Sequence, residues 1–151
     1  MKDIHEVPVI TAGAYSSLDA VGGKLEFEDA RTPYNNSGTI TQAHIMDKGK
    51  QDAHLYLVLF NQDFTETADN AAFAVSDADL QHVVAVLEFV AADYVDFNAN
   101  SFISMGYLGI DVNVPFVLVE GGTSLFGQLF VETSTPTYTS ISDLTVCVVI
   151  K

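Results

Sequence analysis

Along this chain, short runs of apolar residues alternate with polar residues, and clusters of Gly, Pro, Asn and Asp separate one run from the next. Residues 24–28 show the pattern clearly, because Leu25 and Phe27 alternate with a lysine and two glutamates. A period of two residues is typical of a strand with one face on the core and the other in water. We therefore predict a strand here, with Leu25 and Phe27 buried.

Further runs rich in Val, Leu, Ile and Phe predict more strands. They lie at residues 39–47, 53–60, 83–90, 102–110, 114–119, 125–131 and 144–150, and residues 64–75 form another extended segment with a turn at 69–70. Residues 76–81 predict one helical turn, because Ser76 is a good N-cap and Asp77 and Asp79 suit the helix dipole. The sequence therefore predicts an all-β fold, an antiparallel β-sandwich or jelly roll of about eight or nine strands with at most one short helix.

The length of 151 residues indicates one domain. We interpret residues 1–12 as an N-terminal arm and residues 13–151 as a single β-sandwich domain. Pro8 lacks the backbone N–H that a central strand needs, so the first segment is an edge or extended piece. An arm of this kind would become ordered on docking and widen the contact with a partner.

The charge of the chain restricts its partners. It carries 20 Asp and Glu against 6 Lys and Arg, a formal net charge of −14. Six cations cannot neutralise many phosphates, so nucleic acid is not expected as a partner. An anionic membrane would repel the chain, and neither a secretory signal nor a run of about 18 apolar residues is present. We expect a protein made in the cytoplasm that binds neither nucleic acid nor membrane.

Charged residues are sparse in the C-terminal third, where residues 98–151 hold five of the 26. A charge-poor surface is typical of protein–protein contact. The first interface candidates are Phe126, Phe130 and Val149, which lie opposite the expected core faces of the last two strands. The alternative is that these side chains fill a second layer of their own domain.

Few residues suggest chemistry. Cys147 is the one cysteine, lies in an apolar run, and is interpreted as a small buried side chain. The histidines His5, His44, His54 and His82 are far apart and form no metal-binding motif. We therefore predict no metal and no cofactor.

Acidic residues offer two further candidates. Glu26 and Glu28 share the outer face of one strand, as paired catalytic carboxylates would. Residues 93–100 place Asp and Asn side chains in one loop, as a calcium site would, although the EF-hand pattern is absent. Exposed carboxylates in so acidic a chain are typically solvated, so we predict no catalytic residue and no enzyme.

Several strings of residues, together covering much of the chain, resemble the small capsid decoration (cement) proteins of tailed bacteriophages. They are AYSSLDAVGG at 14–23, SGTI at 37–40, AHLYLVLF at 53–60, ADNAAF at 68–73, SDADL at 76–80, LFGQL at 125–129 and TPTY at 135–138. The resemblance implies a β-sandwich or jelly-roll protein without catalysis or cofactor, which forms a homo-oligomer, dimer or trimer. It implies binding to the major capsid protein on the outside of the virion, where the shell is stabilised at subunit junctions.

Two rival hypotheses remain open. One is a carbohydrate-binding jelly-roll module on a virion surface, which would use tyrosines such as Tyr34, Tyr94, Tyr107 and Tyr138. The other is a jelly-roll enzyme built on Glu26 and Glu28.

Overall fold

The computed structural model describes residues 1–33, 35–105 and 112–151. Their strands are β1 (Lys2–Glu6), β2 (Ala20–Phe27), β3 (Ser37–Asp47), β4 (Leu55–Phe60), β5 (Val83–Phe89), β6 (Val95–Asp96), β7 (Ser101–Met105), β8 (Val114–Val117), β9 (Leu125–Val131) and β10 (Leu144–Ile150). One helical turn, α1 (Asp77–Leu80), precedes β5, and a 3-10 turn (Ala91–Asp93) follows it. Among these residues the structure contains no helix with the length and hydropathy that crossing a bilayer requires.

The strands form two antiparallel sheets. The larger sheet has the order β1-β10-β3-β7-β6, and β8 also pairs with β3. β7 pairs with residues 43–47 of β3 and β8 with residues 37–40, so these two strands follow each other along one side of β3. The smaller sheet has the order β2-β9-β4-β5. The predicted all-β sandwich is thus confirmed.

One apolar core fills the space between the sheets. From the smaller sheet, alternate residues such as Leu55, Leu57 and Leu59 point inward and are fully buried. From the larger sheet, alternate residues such as Val146 and Val148 meet them and are equally buried. The period-two pattern of each strand therefore decides which side chains enter the core.

A second apolar layer covers the outer face of the smaller sheet. Val58 and Phe60 of β4 point away from the main core and are buried against Phe64. The rings of Phe60 and Phe64 stack with centroids 4.0 Å apart. The chain between β4 and β5 therefore folds back over the sheet, and this explains why β4 carries apolar residues on both faces.

The N-terminal segment adds an edge strand. β1 pairs with β10 along residues 2–6, and Pro8 and Ile10 beyond it are buried. Gly22 makes this packing possible, because its φ of +75° favours glycine and a Cβ there would lie 2.6 Å from the Cβ of Pro8.

The described strands differ from the sequence predictions at several points, and β6 was not among the predicted strands. β2 begins at Ala20 rather than residue 24, because a bulge between Val21 and Leu25 carries the strand through the two glycines. Residues 64–75 form no strand, although the turn at 69–70 is present. The predicted strand 102–110 corresponds to β7 up to Met105, and its remainder lies outside the described residues.

Candidate interaction surface

The outer face of the smaller sheet carries a row of aromatic rings. Phe130 of β9 stacks on Phe73 at a centroid distance of 4.6 Å and on Tyr56 of β4 at 5.1 Å. His54 lies 5.7 Å from the ring of Tyr56. Glu88 of β5 completes the row, because its carboxylate accepts a hydrogen bond of 3.1 Å from the Tyr56 hydroxyl and lies 2.8 Å from His54 Nε2.

These rings turn their faces toward one another. The ring planes of Phe73 and Phe130 are 7° apart, and those of Tyr56 and Phe130 are 19° apart. Rings this close and this parallel overlap, so the faces that a sugar would stack on are already used by the neighbouring ring. The row therefore consists of rings stacked on one another rather than of open ring faces.

The predicted interface residues Phe126 and Phe130 both belong to this face. Both pack against the second apolar layer, and both remain partly exposed. Phe126 also lines an open cavity of about 250 Å³ together with Glu26 and Asp63. The side chain of Phe126 is therefore accessible to a partner, and its contact with one stays a prediction.

The third predicted interface residue, Val149, lies on the larger sheet. It is opposite Asp3 of β1 and Gln42 of β3, and its side chain is 7% exposed. The carbonyl oxygen of Val149 accepts a hydrogen bond of 3.2 Å from the Thr41 hydroxyl. The two flanking strands thus leave little of Val149 for a partner to touch.

A more open apolar surface lies at the far edge of the larger sheet. Val95 of β6 is 55% exposed, and the nearby Phe97 is 58% exposed. With Phe102 of β7 they line a hollow of about 590 Å³, whose polar lining includes Asp93 and Ser104. In the sequence, Val95 and Phe97 alternate with Asp96, as apolar residues on one face of a strand do. Two residues are too few to identify an edge strand from sequence.

Two of the four predicted sugar-binding tyrosines lie in the described part of the chain, and both pack against the core. Tyr138 is 1% exposed, and its ring meets the edge of Tyr15 at 5.9 Å, so it belongs to the core. Tyr94 packs against the same core, and burial raises its pKa far above the ordinary range. Tyr34 and Tyr107 lie outside the described residues.

The predicted carboxylate pair lies on the surface. Glu26 is exposed on β2, as the alternation indicated, and Glu28 is exposed in the turn that follows the strand. Partial burial raises the pKa of Glu6, and the charges of Glu28 and Glu26 raise it further. Three carboxylates therefore share one acidic patch where β1 meets β2.

The acidic loop at residues 93–100 forms an ion pair with a lysine side chain. Lys50 Nζ lies 3.1 Å from the carboxylate of Asp96 and donates a hydrogen bond of 3.2 Å to the carbonyl oxygen of Asn98. The loop is thereby tied to the turn that follows β3. The ammonium group of Lys50 thus places one positive charge next to the carboxylate of Asp96.

A mixed cluster on the larger sheet was not found by sequence reasoning. The ligand atoms of Asp3, His5 and Cys147 all lie within 4.8 Å of one another. The thiol of Cys147 donates a hydrogen bond to the Asp3 carboxylate, which lowers the pKa of Asp3. Burial, together with this hydrogen bond, raises the pKa of Cys147 to about 12. The alternation of Asp3 and His5 was visible in the sequence, but their pairing with Cys147 was not.

Comparison with models of known protein families gives no match for this chain, and comparison with curated proteins gives none either. The fold and the surfaces described above are therefore the basis for the function.

Proposed function

We propose that this protein is a structural, non-enzymatic component of a phage virion that binds the major capsid protein on the outer surface of the shell and stabilises subunit junctions. The observation that carries the protein-binding part is the apolar hollow at the edge of the larger sheet. Val95 and Phe97 are more than half exposed there, and together with Phe102 they line one hollow. The resemblance of the residue strings to capsid decoration proteins supports the virion as the place of binding.

The charge distribution supports the same role. A net charge of −14 keeps the free protein soluble and apart from packaged DNA. The hollow offers apolar area that a partner can cover on binding. Acidic residues such as Asp93 at the rim would favour a partner surface with basic groups.

Co-sedimentation tests the role directly. We expect the protein to sediment with expanded heads of the phage that encodes it and not with unexpanded proheads. Equal binding to both, or to neither, would contradict the proposal. The mass of the free protein measured at the same time shows whether it forms the dimer or trimer that the resemblance implies.

A matched pair of variants tests the surface. Phe97→Asp puts a charge into the hollow and should lower head occupancy at least tenfold, because burying an unpaired charge in an interface is strongly unfavourable. Val86→Asp is the control, since Val86 is 53% exposed on β5 of the other sheet. Normal occupancy of the Phe97 variant, or an equal loss in the control, would refute the hollow as the contact surface.

A further inference from the structure

Three neighbouring strands of the larger sheet bring metal-binding side chains into one row. His5 of β1 lies opposite Cys147 of β10, and Cys147 lies opposite His44 of β3. Directly opposed residues of antiparallel strands point to the same face, with Cβ atoms about 4.5–5.5 Å apart. Asp3 lies two residues before His5 and shares that face. The row therefore offers one sulfur, two nitrogens and one carboxylate oxygen.

The spacing of the first three ligands fits a small ion. Tetrahedral zinc has bonds of about 2.0–2.3 Å, so its ligand atoms are about 3.3–3.6 Å apart. His5 Nε2 lies 3.2 Å from Asp3 Oδ1. All three ligand atoms, including the sulfur of Cys147, lie within 4.8 Å of one another.

His44 supplies an independent observation. Its Nδ1 atom is buried and has no hydrogen-bond partner among the described residues. The ring of His44 stacks on Phe102 with the centroids 5.4 Å apart. A buried polar nitrogen without a partner is unfavourable, and coordination to a metal ion would satisfy it.

We propose that Asp3, His5 and Cys147 bind one Zn²⁺ ion on the outer face of the larger sheet, and that the ring of His44 turns toward the ion to become the fourth ligand. Thiolate and imidazole ligands favour zinc over magnesium or calcium, which prefer oxygen. On binding, the thiol proton of Cys147 is released to solvent and the sulfur–zinc bond takes its place. The exposed side chains of Asp3 and His5 leave a path for the ion.

The ion would fasten the edge strand β1 to β10 and β3. β1 otherwise has a single neighbour in the sheet, β10. Zinc therefore stabilises the attachment of the N-terminal segment, and this consequence is independent of the proposed capsid role.

Calorimetric titration with Zn²⁺ tests the site, using the full chain without a histidine tag. We expect one ion per chain, and a rise in Tm of roughly 5–10 °C at free zinc about 100 times Kd. With Co²⁺ in place of zinc, a thiolate charge-transfer band in the near ultraviolet should appear. The absence of binding, or of that band, would overturn the proposal.

Variants locate the ion. His5→Gln and Cys147→Ala should each weaken zinc binding at least tenfold, and Cys147→Ala should abolish the cobalt band. His82→Gln is the control, because His82 directly precedes β5 of the other sheet, where its Nδ1 lies 3.2 Å from Asn61 Oδ1. Unchanged affinity in the first two variants, or equal loss in the control, would refute the site. Unchanged affinity in His44→Gln would remove His44 from the ligand set.

Discussion

Gln128 holds the covering segment onto the smaller sheet, and replacing it by leucine should loosen that cover. Gln128 is completely buried on the outer face of β9. Its amide nitrogen donates to the carbonyl oxygens of Gly22, at 2.9 Å, and of Thr67, at 2.6 Å. Its amide oxygen accepts from the Thr67 N–H at 3.0 Å. One side chain thus links β9, β2 and the chain between β4 and β5.

The expected loss follows from the groups that Gln128→Leu leaves unpaired. Leucine has a similar size but makes none of the three hydrogen bonds. The Gly22 carbonyl stays buried, and an unsatisfied buried group costs about 1–3 kcal/mol. The two Thr67 groups are partly buried, so water replaces part of their bonding. We therefore expect the free energy of unfolding to fall by about 2–3 kcal/mol.

Urea unfolding measures the loss, and amide hydrogen exchange locates it. The N–H of Thr67 should exchange faster in Gln128→Leu than in wild type. The exchange rates of the β10 amides should rise only as far as the lower free energy of global unfolding requires. Gln42→Leu is the matched control, because Gln42 is a half-buried glutamine on β3 whose side chain makes no hydrogen bond to the described residues. A loss below about 0.5 kcal/mol, or one equal to the control, would refute the reasoning.

Two further predictions concern stability. Gly22→Ala should lower the free energy of unfolding by about 2–4 kcal/mol, because the left-handed φ and the contact with Pro8 both oppose a Cβ; an unchanged urea midpoint would contradict this. Burial raises the pKa of Asp47 above its unfolded value, so the charged form is disfavoured in the fold and wild-type stability is lost as pH rises through that pKa. Asp47→Asn keeps an acceptor for the N–H groups of Gln51 and Asp52. The urea midpoint of this variant, relative to that of wild type, should therefore rise between pH 4 and pH 7. A difference between the two midpoints that does not change with pH would contradict this.

Local patterns predicted most strands because their cause is local. Leu25 and Phe27 are buried at 2% and 0%, as their alternation indicated. Ser76 caps α1 by accepting a hydrogen bond from the Asp79 N–H, as a serine before an acidic first turn should. These features depend on residues within a few positions of each other.

Local patterns did not predict the structure where a segment packs on, or pairs with, residues that are distant in the sequence. Residues 64–75 are apolar enough for a strand, but Phe64 and Phe73 are used instead to cover the sheet. β1 has a weak strand signal and forms because β10 offers it an unpaired edge. Phe126 and Phe130 were correctly assigned to the outer face, while the segment that packs against them was not foreseen.

The sequence by itself determined the fold class, the inward face of most strands and the net acidity, because a period of two and a net charge are properties of neighbouring residues and of composition. The tertiary structure decided which surfaces stay open and which side chains meet. Cys147 and Asp3 are 144 residues apart, and Gln128 and Thr67 are 61 apart. Contacts over such separations depend on strand order and on how the connecting chain folds back, and no local pattern encodes either.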